Sequence, residues 1–341
     1  MTDLLPVGTL RRESNCGAPI SVVIPYYQRE RGILQRALRS VFAQREVPCP
    51  MHVVVVDDGS PVPAAEELAG LDPPRERIVL RVATQPNAGP AAARNAALSM
   101  TPPGTRYVAF LDSDDVWTED HIARAVHALE LGYDFYFADF YQLDQQIGAF
   151  ARGGKLNLAD HAPLGDPASA LHAFMGDMFD QIVRGNVVGT PTVVYRYQGL
   201  EDVRFHDELT AAGEDYLFWM ALARRGARVA FSSRIEVTCG HGVNLYSGAL
   251  WASDAHLARV RDELRYRRLT RELFAVDARQ QAHLDSCVDE LRQSFARALL
   301  HRMRSGDRVP RRVLWRQLVT DPLSYWAVPS VAVQLVRSRN R

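Results

Sequence analysis

Tyr107-Val108-Ala109-Phe110-Leu111-Asp112-Ser113-Asp114-Asp115 is an apolar run that ends in three acidic residues. The apolar half predicts a buried strand, and the acids begin where that strand ends. Open α/β sheets bind ligands at this edge. Asp112 and Asp114 flank a small serine, so both carboxylates can converge on a hard cation such as Mg²⁺ or Mn²⁺, with Asp115 as a fallback ligand. The alternative is that these acids only solvate a strand-to-helix turn.

The residues upstream repeat this strand-then-acid arrangement. A β-branched run, 20–24, ends at Pro25, and an amphipathic helical pattern follows over 33–42. The next unbroken apolar run, 52–56, ends in Asp57-Asp58-Gly59-Ser60. A further strand at 78–82 precedes a helix over about 91–98. Strand, helix and strand in succession predict parallel βαβ units, and therefore an α/β protein with a mostly parallel sheet flanked by helices.

Composition excludes several classes of function. The 341 residues balance 40 Lys and Arg against 40 Asp and Glu, so nothing global suggests nucleic acid as a partner. The four cysteines are scattered without a CxxC pair, which argues against zinc, a redox dithiol or a secreted disulfide framework and fits a cytoplasmic protein. Lys155 is the only lysine, which removes a GK[ST] phosphate loop. No apolar run approaches the ~20 residues of a membrane span, and no secretory leader is predicted.

The order of motifs over about residues 20–245 resembles that of family 2 glycosyltransferases with the GT-A fold. The motifs that show the resemblance are Ser21-Val22-Val23-Ile24-Pro25-Tyr26-Tyr27, Val56-Asp57-Asp58-Gly59-Ser60, Asn87-x-Gly89-x-x-x-Ala93-Arg94-Asn95 and Leu111-Asp112-Ser113-Asp114-Asp115. Each motif alone is weak, whereas all of them in this order are specific. The resemblance implies a Rossmann-like GT-A domain and an inverting sugar transferase of the bacterial polysaccharide type.

The same resemblance implies roles for individual residues. Pro25, Tyr27 and Asp58 would border the nucleotide base, and Arg94 would approach the base or the diphosphate. The DxD element would be Asp112 to Asp114. The nucleotide-sugar site would therefore comprise Pro25, Tyr27, Asp58, Asn87, Arg94, Asp112 and Ser113, with Asp114 on the metal, Mn²⁺ or Mg²⁺. The sequence departs from the family pattern at Gln28, where asparagine is more common, and at Thr118-Glu119-Asp120, where a proline is common.

Glu214 and Asp215 open an otherwise apolar helix that ends before Gly226. Acids at a helix N-terminus are favourable through the helix dipole, which is the structural alternative. The pair also resembles the family's catalytic ED element. Sugar transfer to a hydroxyl needs a base, and the resemblance makes Asp215 that base and Glu214 its supporting acceptor or sugar contact. Spacing alone does not separate the two roles.

His241 lies between two glycines in a segment, 239–247, that resembles a closing segment of the family. An imidazole there could complete a metal sphere or bind a phosphate. A lone histidine is more often an ordinary loop residue, and oxygen ligands alone can hold Mg²⁺. Both interpretations of His241 stay open.

The chain is predicted to divide into a tail, 1–18, a GT-A domain, 19–247, and a helical domain, 248–341. Within the GT-A domain, 19–117 would bind the nucleotide and 118–247 the acceptor. Residues 301–341 hold nine arginines against two acids, a balance of nine minus two, or plus seven, among interleaved aromatic residues. That pattern predicts peripheral contact with anionic lipid at the inner membrane face. Helices packed on the catalytic domain or on a second subunit of a homo-oligomer are the alternative.

The predicted function is metal-dependent, inverting transfer of a sugar from a nucleotide-sugar donor, a UDP-sugar by default, to a hydroxyl of a saccharide or lipid-linked acceptor. Two other classes remain open. A sugar-nucleotide nucleotidyltransferase would need an Arg- and Lys-containing phosphate loop near the N-terminus, which Ser21 to Arg31 lacks. A non-catalytic binding module is disfavoured by the intact acidic motifs.

Overall fold

The computed structural model describes residues 19–74, 76–243 and 250–339. The expected N-terminal tail, 1–18, lies outside the described residues. The chain divides into two compact units. The first contains the described residues up to Asp207 and Phe218–Val243, and the second contains Glu208–Leu217 and the described residues from 250 onward. None of the described helices combines the length and the apolar composition needed to cross a membrane.

A single sheet forms the centre of the first unit, in the order β3-β2-β1-β4-β9-β6-β10-β8-β7, with β5 paired to β10. The strands are β1 Ile20–Tyr26, β2 Met51–Asp57, β3 Ile78–Thr84, β4 Tyr107–Phe110, β5 Val116–Trp117, β6 Phe135–Tyr141, β7 Ala162–Pro163, β8 Leu171–Ala173, β9 Val194–Arg196 and β10 Val229–Thr238. β1, β2, β3 and β4 are parallel neighbours, as are β6 and β10. β9 runs antiparallel between β4 and β6.

Helices cover the sheet because each presents an apolar stripe to it. They are α1 Ile33–Phe42, α2 Ala64–Glu67, α3 Pro90–Ser99, α4 His121–Glu130, α5 Ala149–Gly153 and α6 Met178–Arg184. On α1 the spacing that predicted a helix places Leu34, Leu38 and Val41 in the core, fully buried. The predicted α/β class, with a mostly parallel sheet flanked by helices and a helical C-terminal region, is confirmed.

Two details differ from the expectation. β1 does not stop at Pro25 but continues to Tyr26, in register with β2. Its pairing with β4 ends at Val23, so Pro25 has strand partners on one side only and its missing N–H costs less there. The strands β5, β7 and β8 are two or three residues long, which is too short to show the alternation of apolar and polar residues that predicts a strand.

The second unit consists mainly of four helices, α8 Asp254–Leu273, α9 Ala278–Ser305, α10 Arg311–Thr320 and α11 Leu323–Arg339. Its core includes Leu257, Leu264 and Phe295. Asp321, between α10 and α11, is 1% exposed. Arg292 Nη2 and Nε donate to its two carboxylate oxygens at 2.8 and 2.9 Å. Burial opposes ionisation of Asp321, but these bonds lower its pKa, so a buried charge is neutralised within the unit.

Candidate active site

The acids that follow β4 lie at the carboxyl edge of the sheet, and Arg94 neutralises the first of them. The Nη2 atom of Arg94, on α3, donates to Asp112 Oδ1 at 2.7 Å. The Arg94 side chain is 5% exposed and lies over the Phe205 ring, 5.3 Å from its centroid. Asp112 keeps 30% exposure of its side chain. The buried guanidinium of Arg94 therefore orients Asp112 and leaves the Asp112 carboxylate accessible to a ligand.

Backbone amides of the segment Cys239–Val243, which follows β10 (the closing segment), surround the other two acids. Gly242 N–H donates to Asp114 Oδ2 and Gly240 N–H donates to Asp115 Oδ1, each at 3.0 Å. Burial, with the nearby charge of Asp112, raises the pKa of Asp114 to about 6. Burial and the nearby charges of Asp112 and Asp114 raise the pKa of Asp115 well above its usual range. The turn therefore concentrates more negative charge than its donors neutralise.

The side chain of Gln28 joins Ser113 of the acidic turn to the closing segment. Gln28 Nε2 donates to Ser113 Oγ at 3.0 Å, and Gln28 Oε1 accepts from Val243 N–H at 2.9 Å. Ser60 Oγ accepts from Gln28 N–H at 2.7 Å and donates to Gln28 O at 2.8 Å. Residues from separate motifs therefore meet at a single buried amide.

Asp58 shapes the loop that leads into α3. Its carboxylate accepts from Gln85 Nε2 at 2.7 Å, from Ala88 N–H at 2.9 Å and from Gly89 N–H at 2.8 Å. Asn87 Nδ2 donates to the Asp58 carbonyl at 2.9 Å. The structure thus brings together two residues predicted for the nucleotide site. Pro25 and Tyr27, which were predicted to border the base with Asp58, are buried and half-buried respectively. Contact of these residues with a base stays a prediction.

The side chain of His241 contacts Asp144. Its Nε2 lies 2.9 Å from Asp144 Oδ1, and both side chains are mostly exposed. Among the residues that the structure describes, no group of three or more His, Cys, Asp or Glu side chains is arranged to hold a metal ion. A metal role of His241 stays a prediction. Asn244 to Ser247, the rest of the predicted closing segment, lie outside the described residues.

Glu214 and Asp215 form the first turn of α7, Glu214–Arg224, as predicted. Both are half-buried. Gly213 precedes them at φ +90°, and a Cβ there would lie 2.3 Å from the Tyr266 ring, so only glycine fits. Asp262 Oδ2 accepts from Thr210 N–H at 2.9 Å and from Ala211 N–H at 2.8 Å. The approach to this helix is therefore fixed by contacts inside the second unit.

A buried ionic cluster secures β10, from which the closing segment emerges. Glu236 is fully buried, and its carboxylate accepts from Arg124 Nε at 2.6 Å and from the Tyr136 hydroxyl at 2.8 Å, with His121 Nδ1 at 2.9 Å. Burial would raise the pKa of Glu236, but these partners lower it. Thr118 N–H also donates to the Glu236 carbonyl at 2.9 Å, which anchors the chain just after the acidic turn.

Known proteins are similar to this chain in sequence. The family model described as Glycosyl transferase family 2 matches residues 21–177. The chain is 37% identical over 236 residues to the succinoglycan biosynthesis protein ExoW of Rhizobium meliloti, an alignment that covers 67% of this chain and 71% of that protein. The chain belongs to glycosyltransferase family 2. This family 2 member is therefore an enzyme, a glycosyltransferase, and the nucleotidyltransferase and non-catalytic alternatives fall away.

Solved structures confirm the predicted GT-A fold of this glycosyltransferase. S. aureus TarS 1–349, in complex with UDP-GlcNAc, superposes with a TM-score of 0.52 at 20% identity, covering 89% of this chain and 90% of that one. The mannosyltransferase PcManGT from Pyrobaculum calidifontis, in complex with GDP-Man and Mn²⁺, gives a TM-score of 0.52 at 16% identity. That match covers 94% of this chain and 87% of the other. At these identities the likeness concerns the fold alone.

Gly242 is required by the close approach of the closing segment to the acids. A Cβ at this position would lie 2.6 Å from Asp114 Oδ2 and 2.6 Å from Gln28 Nε2. We expect Gly242→Ala to displace the segment, to destabilise the fold by about 1–3 kcal/mol and to weaken nucleotide binding. Thermal unfolding and calorimetric titration with UDP measure the two effects. Gly153→Ala is the matched control, because a Cβ there meets nothing within 4 Å. Wild-type nucleotide affinity in Gly242→Ala would contradict a role of this contact in binding.

Sequence reasoning missed three features of this glycosyltransferase site. It treated Gln28 as a departure from the family pattern and not as a bridge. It noted the glycines on either side of His241 without a role for them, whereas their N–H groups bind the acids. It did not predict that Arg94 pairs with Asp112, while an approach of Arg94 to the base or diphosphate stays a prediction. The flanking glycines were the available signal, since close backbone approach is a usual reason for glycine.

Proposed function

We propose that this enzyme transfers a sugar, with inversion, from a nucleotide-sugar donor to a hydroxyl of a saccharide or lipid-linked acceptor during assembly of a cell-surface polysaccharide. The observation that most supports the proposal is the acidic turn itself, in which Arg94 orients an accessible Asp112 and the closing segment holds Asp114. A UDP-sugar is the proposed donor class. The TarS structure contains UDP-GlcNAc, and ExoW is a succinoglycan biosynthesis protein.

The donor diphosphate in this proposal is held through a divalent cation, Mn²⁺ or Mg²⁺. The chemistry of the residues fits such an ion, because Asp112 and Asp114 offer hard carboxylate oxygens, and burial together with the nearby charge of Asp112 raises the pKa of Asp114. The PcManGT structure is a complex with GDP-Man and Mn²⁺. When bound, the cation would neutralise charge on the departing diphosphate. Arg94 keeps Asp112 oriented, and Gly242 N–H keeps Asp114 oriented.

The base in this proposal is Asp215. An acceptor hydroxyl is a weak nucleophile at neutral pH, and a carboxylate that removes its proton contributes roughly 10²–10⁴-fold in rate. Asp215 is supported by its place in the first turn of α7 and by its half-buried side chain. One of its oxygens, Oδ1, accepts from Tyr216 N–H at 2.9 Å. Glu214 is proposed to orient the acceptor or a sugar hydroxyl.

A panel of UDP-, GDP- and dTDP-sugars tests the reaction. Each donor is incubated with the enzyme, Mn²⁺ and a mixed saccharide or lipid-linked acceptor fraction. The molecular masses of the products are then measured by mass spectrometry. We expect release of the nucleoside diphosphate with one donor class and a matching mass gain in the acceptor. Absence of nucleotide release with every donor would overturn the proposed donor chemistry, and release of sugar 1-phosphate instead would indicate a different bond cleavage.

We propose that the enzyme works at the cytoplasmic face of the inner membrane, where α10 and α11 contact anionic lipid. Large apolar side chains are exposed on these helices, including Trp315 at 66% and Trp326 at 78%. Exposed arginines near them have no acidic partner among the described residues, namely Arg304, Arg308, Arg311, Arg312, Arg316 and Arg337. Exposed tryptophan beside unpaired arginine suits the boundary between headgroups and acyl chains.

The same charges argue against a second copy as the occupant of this surface. A two-fold interface brings the same patch of both subunits together, so it would oppose arginine with arginine. Asp307 is the exposed acid of the region, because Asp321 is buried and paired to Arg292. Anionic headgroups supply the missing negative charge.

Vesicle co-sedimentation tests the membrane contact. We expect Arg311→Glu/Arg312→Glu to weaken binding to phosphatidylglycerol vesicles at least roughly thirtyfold, since each surface arginine contributes about 1 kcal/mol. Added salt should weaken wild-type binding. Arg45→Glu/Arg81→Glu, in exposed positions of the first unit, is the control. Unchanged vesicle binding in Arg311→Glu/Arg312→Glu would overturn the membrane contact. A change in the molar mass of this variant by light scattering would assign the surface to oligomerisation.

A further inference from the structure

We infer that Gln28 is a positioning residue that holds the closing segment against the acidic turn and so sets the affinity for the metal–diphosphate part of the donor. The inference rests on the proposed function, because it concerns how that donor site is kept in shape. The geometry behind it is the double hydrogen bond of the Gln28 amide, to Ser113 Oγ at 3.0 Å and from Val243 N–H at 2.9 Å.

Only a side chain with a donor and an acceptor at the same end can make both bonds. A carboxylate accepts but does not donate, and a hydrocarbon of equal length does neither. Gln28 is 3% exposed, so water is poorly placed to replace a lost partner. Asparagine, the more common residue of the family at this position, is shorter by one methylene and would leave at least one of the two bonds unmade.

The bond to Val243 matters because of what the preceding residues do. Gly242 N–H binds Asp114 and Gly240 N–H binds Asp115, so these two amides lie within the segment that Gln28 fixes at its end. The Gln28 backbone is itself held by Ser60 through two bonds of 2.7 and 2.8 Å. Gln28 therefore transmits a fixed position from the end of β1 to the amides that orient the two carboxylates. Gln28 acts through these backbone amides and needs no contact with the donor.

Gln44 provides a matched control for structural effects. It is also a fully buried glutamine of the first unit whose amide joins separate segments. Gln44 Nε2 donates to the Thr118 carbonyl at 2.6 Å, and Gln44 Oε1 accepts from Ile122 N–H at 2.9 Å. None of these partners belongs to the acidic turn or the closing segment. Loss of the Gln44 amide should therefore lower stability without altering the donor site.

The test compares Gln28→Met, Gln28→Asn and Gln44→Met. Methionine keeps the approximate volume of glutamine and removes the hydrogen bonds, so it separates bonding from packing. Titration calorimetry with UDP in the presence of Mn²⁺ gives the dissociation constant, thermal unfolding gives Tm, and steady-state assays give kcat and KM for the donor. We expect both Gln28 variants to raise the dissociation constant and donor KM by roughly tenfold, the usual cost of removing a residue that orients the ligands of a metal. Gln44→Met should lower Tm at least as much and leave the dissociation constant unchanged.

Wild-type affinity in Gln28→Met would overturn the inference, because packing alone would then be sufficient. An equal loss of affinity in Gln44→Met would also overturn it by showing a general effect of instability. Failure of the wild-type protein to bind UDP with Mn²⁺ would instead contradict the proposed function.

Discussion

Asp215→Asn is expected to lower the transfer rate by roughly 10²–10⁴-fold and to leave donor affinity unchanged. Asparagine keeps the size of the side chain and an oxygen that can accept from Tyr216 N–H, as Asp215 Oδ1 does at 2.9 Å. The start of α7 should therefore survive. What is lost is the carboxylate that takes the acceptor's proton. Calorimetric titration with UDP and Mn²⁺, set beside a steady-state transfer assay, measures the two properties separately.

Glu214→Gln is the matched comparison for the base, since it changes the neighbouring acid in the same way. We expect a smaller loss of rate, because Glu214 is proposed to orient the acceptor and not to take its proton. Retained transfer in Asp215→Asn would move the base elsewhere, first to Glu214 and then to His241. Loss of donor binding would make Asp215 part of the donor pocket.

Asp114→Asn should abolish metal-supported transfer, with a loss of at least roughly a hundredfold, because it removes a proposed ligand charge at constant size. EDTA should inactivate the wild-type enzyme, and Mn²⁺ or Mg²⁺ should restore it. Wild-type turnover that is indifferent to EDTA would overturn the metal proposal. If Asp114 tolerates the substitution, Asp115 is the next candidate ligand, although it is 4% exposed and bonded to Gly240.

The same substitution should stabilise the metal-free protein at neutral pH. The pKa of Asp114 is raised to about 6 in the folded chain from an ordinary 3.8. Between these values the folded state binds more protons than the unfolded one, so this group's contribution to stability falls as pH rises through about 6. Asparagine removes that penalty. In EDTA, Tm of Asp114→Asn should exceed wild type above pH ~6 by roughly 2–4 °C per kcal/mol relieved, and the gain should vanish towards pH ~4.

Adding Mn²⁺ to this comparison gives a readout that is independent of activity. A cation that binds only the folded wild-type protein should raise its Tm and leave Asp114→Asn unaffected. An equal rise in both proteins would place the ion elsewhere. A lower Tm of Asp114→Asn in EDTA would mean that the hydrogen bond from Gly242 outweighs the repulsion from Asp112.

Local patterns in the sequence predicted much of the fold. The apolar runs of β1, β2 and β4 and the 3.6-residue spacing of α1 identified those elements, because burial on both faces of a parallel sheet leaves continuous apolar runs. The acids at Asp58 and Asp112 were correctly assigned to the same sheet edge by the parallel order. Short strands such as β5 were missed, since they exist only by pairing with β10.

The contacts that shape the candidate site were harder to predict. Arg94 bonds Asp112 across 18 residues, but Gln28 bonds Val243 across 215. No local pattern encodes which buried amide will meet which strand end, because that choice depends on the completed sheet order. A boundary between a GT-A domain and a helical domain was predicted near residue 247, but the grouping of Glu208–Leu217 with the C-terminal helices was not, since that stretch looks like an ordinary loop and helix start.

The large sequence separation of Gln28 and Val243 also has a consequence for synthesis on the ribosome. The acidic turn is made early, but the amides of Gly240 and Gly242 that bind it are translated more than a hundred residues later. Contacts of such sequence separation form late in folding, because closing a long loop costs chain entropy first. Until β10 has left the exit tunnel and joined β6, Asp114 and Asp115 of a nascent chain lack these amide donors. Donor binding should therefore be acquired only after the closing segment, which ends at Val243, has left the tunnel and reached the acidic turn.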